Sequence, residues 1–295
     1  MLEPNEPRPC PDFDREFERF TRAWLRKYAP KYGGDLSRME SRIPDLYVRW
    51  LNKPVSWLDG RKPGMYFASY GDPTELIGWA ADYARADVSL PAPLMDRISI
   101  LPGAEEALLK ALADASTPYA LRLTIVPMLS EMKSVKPMPL YIKWIANRLS
   151  AERGGRVHRD DDLAELCAEA LARMGPSVVE PILEAAPGAN PAGQETFLDI
   201  LCNFPGDKRI VELGVELFER GRGSTALIAA YLGKLGDPKA LPPLERALHG
   251  GRLAYLDYIE VRNAVEELGG GIPDEQPDFA GDPGYESLKA LNAGW

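Results

Sequence analysis

One stretch of this chain concentrates the side chains that most often anchor binding. RWLNKPVSWLDGRKPGMYF, residues 49–67, with Tyr47 just ahead of it, supplies Tyr47, Arg49, Trp50, Trp57, Arg61 and Tyr66. Trp, Tyr and Arg bury large rigid or planar groups at little entropic cost, so they recur at binding hot spots. The same types also suit a second role. Trp50, Leu51, Trp57 and Leu58 can pack this region against the helices that follow.

Other chemistry is sparse. The two histidines, His158 and His249, lie far apart, and the three cysteines are Cys10, Cys167 and Cys202. A structural zinc site needs four Cys/His ligands at short spacings, which this sequence lacks, so no metal is expected. His249 precedes Gly250, where its ring can meet the last carbonyls of a helix. Asp160, Asp161 and Asp162 lack the alternating ligands and distal Glu of a calcium loop, and are expected to cap a helix beginning near Leu163. GRGSTA, residues 221–226, matches Gly-x-Gly-x-x-Ala but has no strand before it, so it reads as a turn with Ser224 as N-cap. No catalytic residue and no cofactor are expected.

The elements that must position these groups are helical. From Leu101 onward, apolar residues recur at three and four, with no strand alternation. Thr117-Pro118 and Asp237-Pro238 read as an N-cap followed by Pro in the first turn; Asp72, Asp207 and Ser224 read as further N-caps. Gly175, Gly206, Gly236 and Gly269 stand where helices should stop, at intervals of 31, 30 and 33. Around them ALARMGPSVVEPILEAA, ILCNFPGDKRIVELGVELF and YLGKLGDPKALPPLERAL share one plan: apolar helix, turn, amphipathic helix. A fixed period of this size predicts stacked helical hairpins, each covering its neighbour's apolar face.

AAYLGKLGDPKALPPLERAL resembles HEAT repeats, in particular the short bacterial form also seen in bilin-lyase-type proteins. The resemblance spans roughly residues 100–270 and implies an all-α fold: a right-handed α-α superhelix, a short solenoid, closed by a helical N-terminal cap. Three regions follow: an aromatic-rich cap at 1–100, repeats at 101–270, and an acidic Gly/Pro-rich tail at 271–295, read as loosely held with a last helical turn at 285–292. Trp50-Leu51-x2-Pro54 followed by Leu58-x-Gly60-x2-Pro63 is also similar to the toxin-binding segment of some bacterial antitoxins.

The cap differs in composition. Of 26 aromatic residues, 14 fall in the first 83. Phe13, Phe17, Phe20, Trp24 and Tyr28 line one face of a helix predicted over 13–28, with Arg15, Arg19, Arg22 and Arg26 on the other.

Charge narrows the partners. Net charge is −9, with residues 1–66 at +3 and residues 67–295 at −12. An acidic body repels phosphate backbones, so nucleic acid is disfavoured. No stretch approaches the about 20 apolar residues of a membrane span. The start, MLEPNEPRPCPDF, lacks a signal peptide's features, and sparse cysteines suit a reducing compartment, so a cytoplasmic location is expected. The function expected is a non-catalytic scaffold that binds a protein or peptide of basic or mixed charge. Its inner surface is expected on the second helices, 207–220 and 238–249, through Arg209, Glu212 and Glu216. Two other functions follow from fold resemblance alone: a HEAT-like glycosylase for alkylated DNA bases and a bilin-lyase-like chaperone. The first requires a basic surface that the repeats lack.

Overall fold

The computed structural model describes residues 8–33, 35–147, 159–221, 223–251, 253–273 and 277–292. Every regular element among them is helical: sixteen α-helices, six short 3₁₀ turns and no strand. None of these helices is long and apolar enough to cross a membrane. The chain forms two compact units, Met1–Ser134 and Val135–Trp295.

The first unit contains α1 Phe13–Tyr28, α2 Leu36–Glu40, α3 Ile43–Leu51, α4 Pro73–Arg85, α5 Ala92–Ser99, α6 Ala104–Ala113 and α7 Tyr119–Glu131. It runs past residue 100 because α4 packs on both α6 and α7. Asp12 caps α1 by accepting from the Arg15 N–H at 2.9 Å, and Asp72 caps α4 through the Thr74 N–H at 2.9 Å. Thr117 does not cap α7. Pro118 occupies the cap position, and the Thr117 hydroxyl donates to the Ala111 carbonyl at 2.7 Å, tying the turn back to α6.

Aromatic rings fill the core of this unit. Phe13 is 3 % exposed and meets Trp50, Trp57, Tyr66 and Phe67 at centroid distances of 5.3–6.1 Å. Trp79 closes the cluster against Tyr66, Phe67 and Tyr70. These are mostly edge-to-face contacts, which the ring quadrupoles favour over flat sandwiches. The segment ahead of α1 is strapped across α4. Tyr83 donates to the Pro11 carbonyl at 3.1 Å, and Arg8 lies over the Trp79 ring and pairs with Asp82 at 3.1 Å.

The second unit contains α8 Met138–Ala146, α9 Arg159–Arg173, α10 Val179–Ala185, α11 Pro191–Leu201, α12 Lys208–Glu219, α13 Thr225–Leu235, α14 Leu241–His249, α15 Tyr255–Glu267 and α16 Pro283–Asn292. Four helical pairs follow one another: α9–α10, α11–α12, α13–α14 and α15–α16. Gly175, Gly206, Gly236 and Gly269 all have positive φ and follow the first helix of each pair. At Gly236 the φ of 70° ends α13 in the left-handed region, where a Cβ would be strained. First helices pack on first helices in sequence order, α9 on α11, α11 on α13 and α13 on α15, while α12 packs on α14. Phe197, Leu198, Leu201, Leu232, Val261 and Val265 are fully buried between them.

Close approach has a chemical cause. A Cβ on Gly233 of α13 would lie 3.1 Å from Ala264 Cα on α15, and one on Gly193 of α11 would lie 2.4 Å from the Ile145 carbonyl of α8. Cys167 and Cys202 are buried here, and burial pushes the Cys202 thiol up to about 12. Helix α9 starts at Arg159, so Asp160, Asp161 and Asp162 lie inside its first turn rather than ahead of it. His158 lies outside the described residues.

The C-terminal segment is anchored. Phe279 is 8 % exposed and packs against Tyr255, Tyr258 and Tyr285. Helix α16 starts at Pro283, two residues before the turn expected at 285. Asp282 caps it, accepting from the Gly284 and Tyr285 N–H groups at 2.9 and 3.1 Å, and also accepts from the first N–H of α15, Tyr255, at 3.2 Å. These backbone donors hold its carboxyl below the ordinary aspartate range. The stabilisation is therefore complete above that range and fades as pH falls through the lowered value. Asp282→Ala is expected to speed amide hydrogen exchange across 279–292 at neutral pH, and acidification of the unmodified protein should do the same. Unchanged protection in the variant would show that the carboxylate does not hold the tail.

Candidate functional site

The six cap residues singled out by type do not form one surface. Trp50 and Tyr66 are 2 % and 7 % exposed, so their rings belong to the core. Tyr47 and Trp57 are half-buried, Tyr47 edge-on to Phe17 at 4.9 Å and Trp57 stacked on Trp50 at 6.2 Å. Arg49 and Arg61 are exposed. Arg61 sits over the Tyr66 ring at 4.6 Å and donates to the Leu58 carbonyl at 3.2 Å. Leu51 of the Trp-Leu pair and Gly64, which follows Pro63, line a hollow of about 290 Å³ with Met65, Pro93 and Ile100.

Arg209, Glu212 and Glu216 do share the surface of the second helices α10, α12 and α14, but they are engaged within the protein. Arg209 grips Glu180 with two bonds, at 3.0 and 2.7 Å, and also bonds its own helix cap Asp207 at 2.6 Å. Glu212 pairs with Lys239 at 3.2 Å and Glu219 with Arg246 at 2.6 Å. Glu216 pairs with Arg220. The guanidinium holds the Glu180 and Asp207 carboxyls below their ordinary ranges, through hydrogen bonds first. Two grooves of about 460 and 290 Å³ run over this surface, lined by Glu180, Glu184, Glu212, Glu216 and Glu219 but also by Arg209, Arg220 and Lys239. Each carboxylate-rich stretch therefore carries its own counter-charge.

The first helices present a different surface. A groove of about 540 Å³ crosses α9, α11 and α13. Its lining includes Glu165, Glu169, Glu195 and Asp199 and, among the described residues, no lysine or arginine; Arg173, just outside it, pairs with Glu169 at 3.7 Å. Ala168, Ala172 and Ile200 form its floor, and Leu227 (45 % exposed) and Tyr231 one wall. Tyr231 is hydrogen-bonded to Asp199, and burial first, then that carboxylate, holds its hydroxyl above the ordinary tyrosine range. The phenol thus stays protonated and keeps donating near neutral pH. Glu195 also accepts from the Ser224 N–H at 2.6 Å, at the start of α13.

Sequence reasoning missed this groove, although the period contains it. Glu165 and Glu195 are 30 residues apart, as are Glu169 and Asp199. The 30-residue interval therefore puts these carboxylates on consecutive first helices, lining one groove. The period is plain in the turn glycines and apolar positions; its consequence for charge emerges only once the first helices lie side by side.

Among the described residues no group of three or more His, Cys, Asp or Glu is placed to hold a metal ion. His249 Nδ1 lies 2.7 Å from the Glu245 carbonyl oxygen, the helix-end position its spacing implies. The sequence matches no protein-family model, and a search of curated proteins found no significant match.

The Arg209 cluster gives a direct test of the paired surface. In Arg209→Ala the Glu180 and Asp207 carboxyls are expected to titrate at higher pH, back toward ordinary values, while the melting temperature falls only slightly because the pairs are exposed. Carboxyl-detected NMR titration reads both residues. Unshifted titration of either would remove Arg209 from the explanation.

Proposed function

We propose that this chain is a HEAT-like repeat protein whose second unit winds as a short superhelix and binds a basic segment of a protein partner along its first helices. The observation that carries the reading is the groove over α9, α11 and α13, with four carboxylates and no cation among its described lining residues. A lysine or arginine side chain entering it would meet carboxylates at their negative potential, and its aliphatic stem would lie on Ala168, Ala172, Ile200 and Leu227. The repeated placement suits an extended peptide, because equivalent groups recur on successive helices.

The repeat reading is supported by the register of the contacts. Hydrogen bonds between consecutive hairpins join residues 26–31 apart, including Arg209–Glu180, Lys239–Glu212, Ser224–Glu195 and Lys234–Asn203. That separation is close to, and mostly a few residues shorter than, the 30–33-residue spacing of the four turn glycines.

A fluorescein-labelled peptide of alternating lysine and alanine is a suitable probe in an anisotropy titration. The protein is expected to bind it in a salt-sensitive manner. Changing both Glu165 and Asp199 to Lys should weaken binding by roughly tenfold or more, since two exposed attractions become repulsions. Glu212→Lys, on the paired surface, should leave it unchanged. Equal binding by the double variant, or loss in the Glu212 variant alone, would overturn the assignment.

A further inference from the structure

The cap carries the opposite charge and uses it differently. Residues 19–53 hold nine Lys/Arg against three Asp/Glu. Three of the lysines stand over half-buried rings. Lys53 Nζ lies 5.8 Å from the Phe20 ring, and Lys27 and Lys31 lie 5.4 and 5.3 Å from the Tyr28 ring. Phe20, Trp24, Lys27, Tyr28 and Lys31 follow one stripe along α1 and the 3₁₀ turn Ala29–Tyr32. Trp24 closes the stripe against Tyr28 and Tyr32 at 5.3 and 5.9 Å.

These lysines are not spent within the protein. Among the described residues Lys27, Lys31, Lys53 and Arg26 have no carboxylate partner, and all four are exposed. Arg19, Arg22 and Arg42 differ: they pair with Glu16, Glu18 and Asp45 on their own helices. The rings contribute by holding the ammonium groups in place over their faces, so less side-chain freedom is lost when an anion arrives.

We infer that this lysine-on-aromatic stripe is a second docking surface, and that its occupant is an acidic segment of a partner protein. Charge complementarity selects an anionic chain. The state of the rings selects a polypeptide over a nucleic acid. Single strands gain their affinity by stacking bases on open aromatic faces. Here the Trp24 face is turned onto Tyr28 and Tyr32, and the Tyr28 face is covered by two ammonium groups. Carboxylates need no ring face; they need the ammonium groups, and all three lysines are exposed. With the acidic groove of the second unit, the chain becomes an adaptor that takes a basic segment at one surface and an acidic one at another.

The test uses the full chain and two labelled probes, an oligoglutamate peptide and a thymidine oligonucleotide of equal charge, titrated at low salt. The peptide is expected to bind, and to release as salt is raised. Changing Lys27, Lys31 and Lys53 together to Glu should weaken it roughly tenfold or more, with an unchanged thermal melt because all three side chains are exposed. The same lysines changed to Arg should keep binding, and Lys239→Glu in the second unit should not alter it. No peptide binding at low salt, unchanged binding by the triple variant, or tighter binding of the oligonucleotide than of the peptide would each overturn the proposal. Failure here leaves the basic-peptide titration of the second unit unaffected, so the two readings fall separately.

Discussion

A helix begins with backbone N–H groups that have no partner inside it, and leaves a partial positive charge there. In the second unit that requirement is met partly from the neighbouring hairpin. Glu195 of α11 accepts from the start of α13, and Asp257 of α15 accepts from Ala226 at 3.1 Å; within the last pair, Asp282 accepts from the first N–H of α15. The start of α13 is thus completed by the pairs on either side of it, which also cover its apolar face. A single pair of short helices could do neither. The tight contact of α13 with α15 through Gly233 and Ala264 sets the distance at which these carboxylates reach.

Two surfaces with different chemistry result from the same register. On the second helices, an acid of one hairpin falls opposite a cation of the next, as in Glu180–Arg209 and Glu212–Lys239. Exposed pairs of this kind add little stability, but they fix lateral register and neutralise the surface. On the first helices, Glu165, Glu169, Glu195 and Asp199 line one groove, and a cation beside them, Arg173, pairs with Glu169 at 3.7 Å from outside the lining. Like charges at one repeat's spacing work against folding, and the apolar packing of Phe197, Leu198 and Leu232 beneath them outweighs it. In the cap, by contrast, burial of Phe13, Trp50 and Tyr66 builds a core, and the distal lysines on Phe20 and Tyr28 are left outward.

Much of the helical layout is legible in the sequence. Helix α1 occupies the predicted 13–28 because its aromatic stripe has a strict helical period. Gly236 and Asp237-Pro238 end one helix and cap the next because their conformational preferences are local. What the sequence hides depends on partners distant along the chain. Thr117 has the right chemistry for a cap, yet a carbonyl of α6 competes for its hydroxyl. Asp282 reads as part of a loose tail, because its value lies in reaching Tyr255. Trp50 and Tyr66 have the composition of a binding surface, and only packing against Phe13 reveals them as core. Arg209, Glu212 and Glu216 do fall on one helix face, with Arg220 one turn after Glu216, but the counter-charges at Glu180 and Lys239 appear only when hairpins stack.

If the surface of the first helices is the one that binds, a ligand should protect it and leave the second helices alone. Hydrogen exchange of the full chain, followed by mass spectrometry with and without saturating alternating lysine–alanine peptide, tests this most directly. Added protection is expected in the segments around Glu165–Ala172, Glu195–Asn203 and Leu227–Tyr231, with 208–219 and 241–249 unchanged. Protection confined to the second helices, or none at saturation, would contradict it.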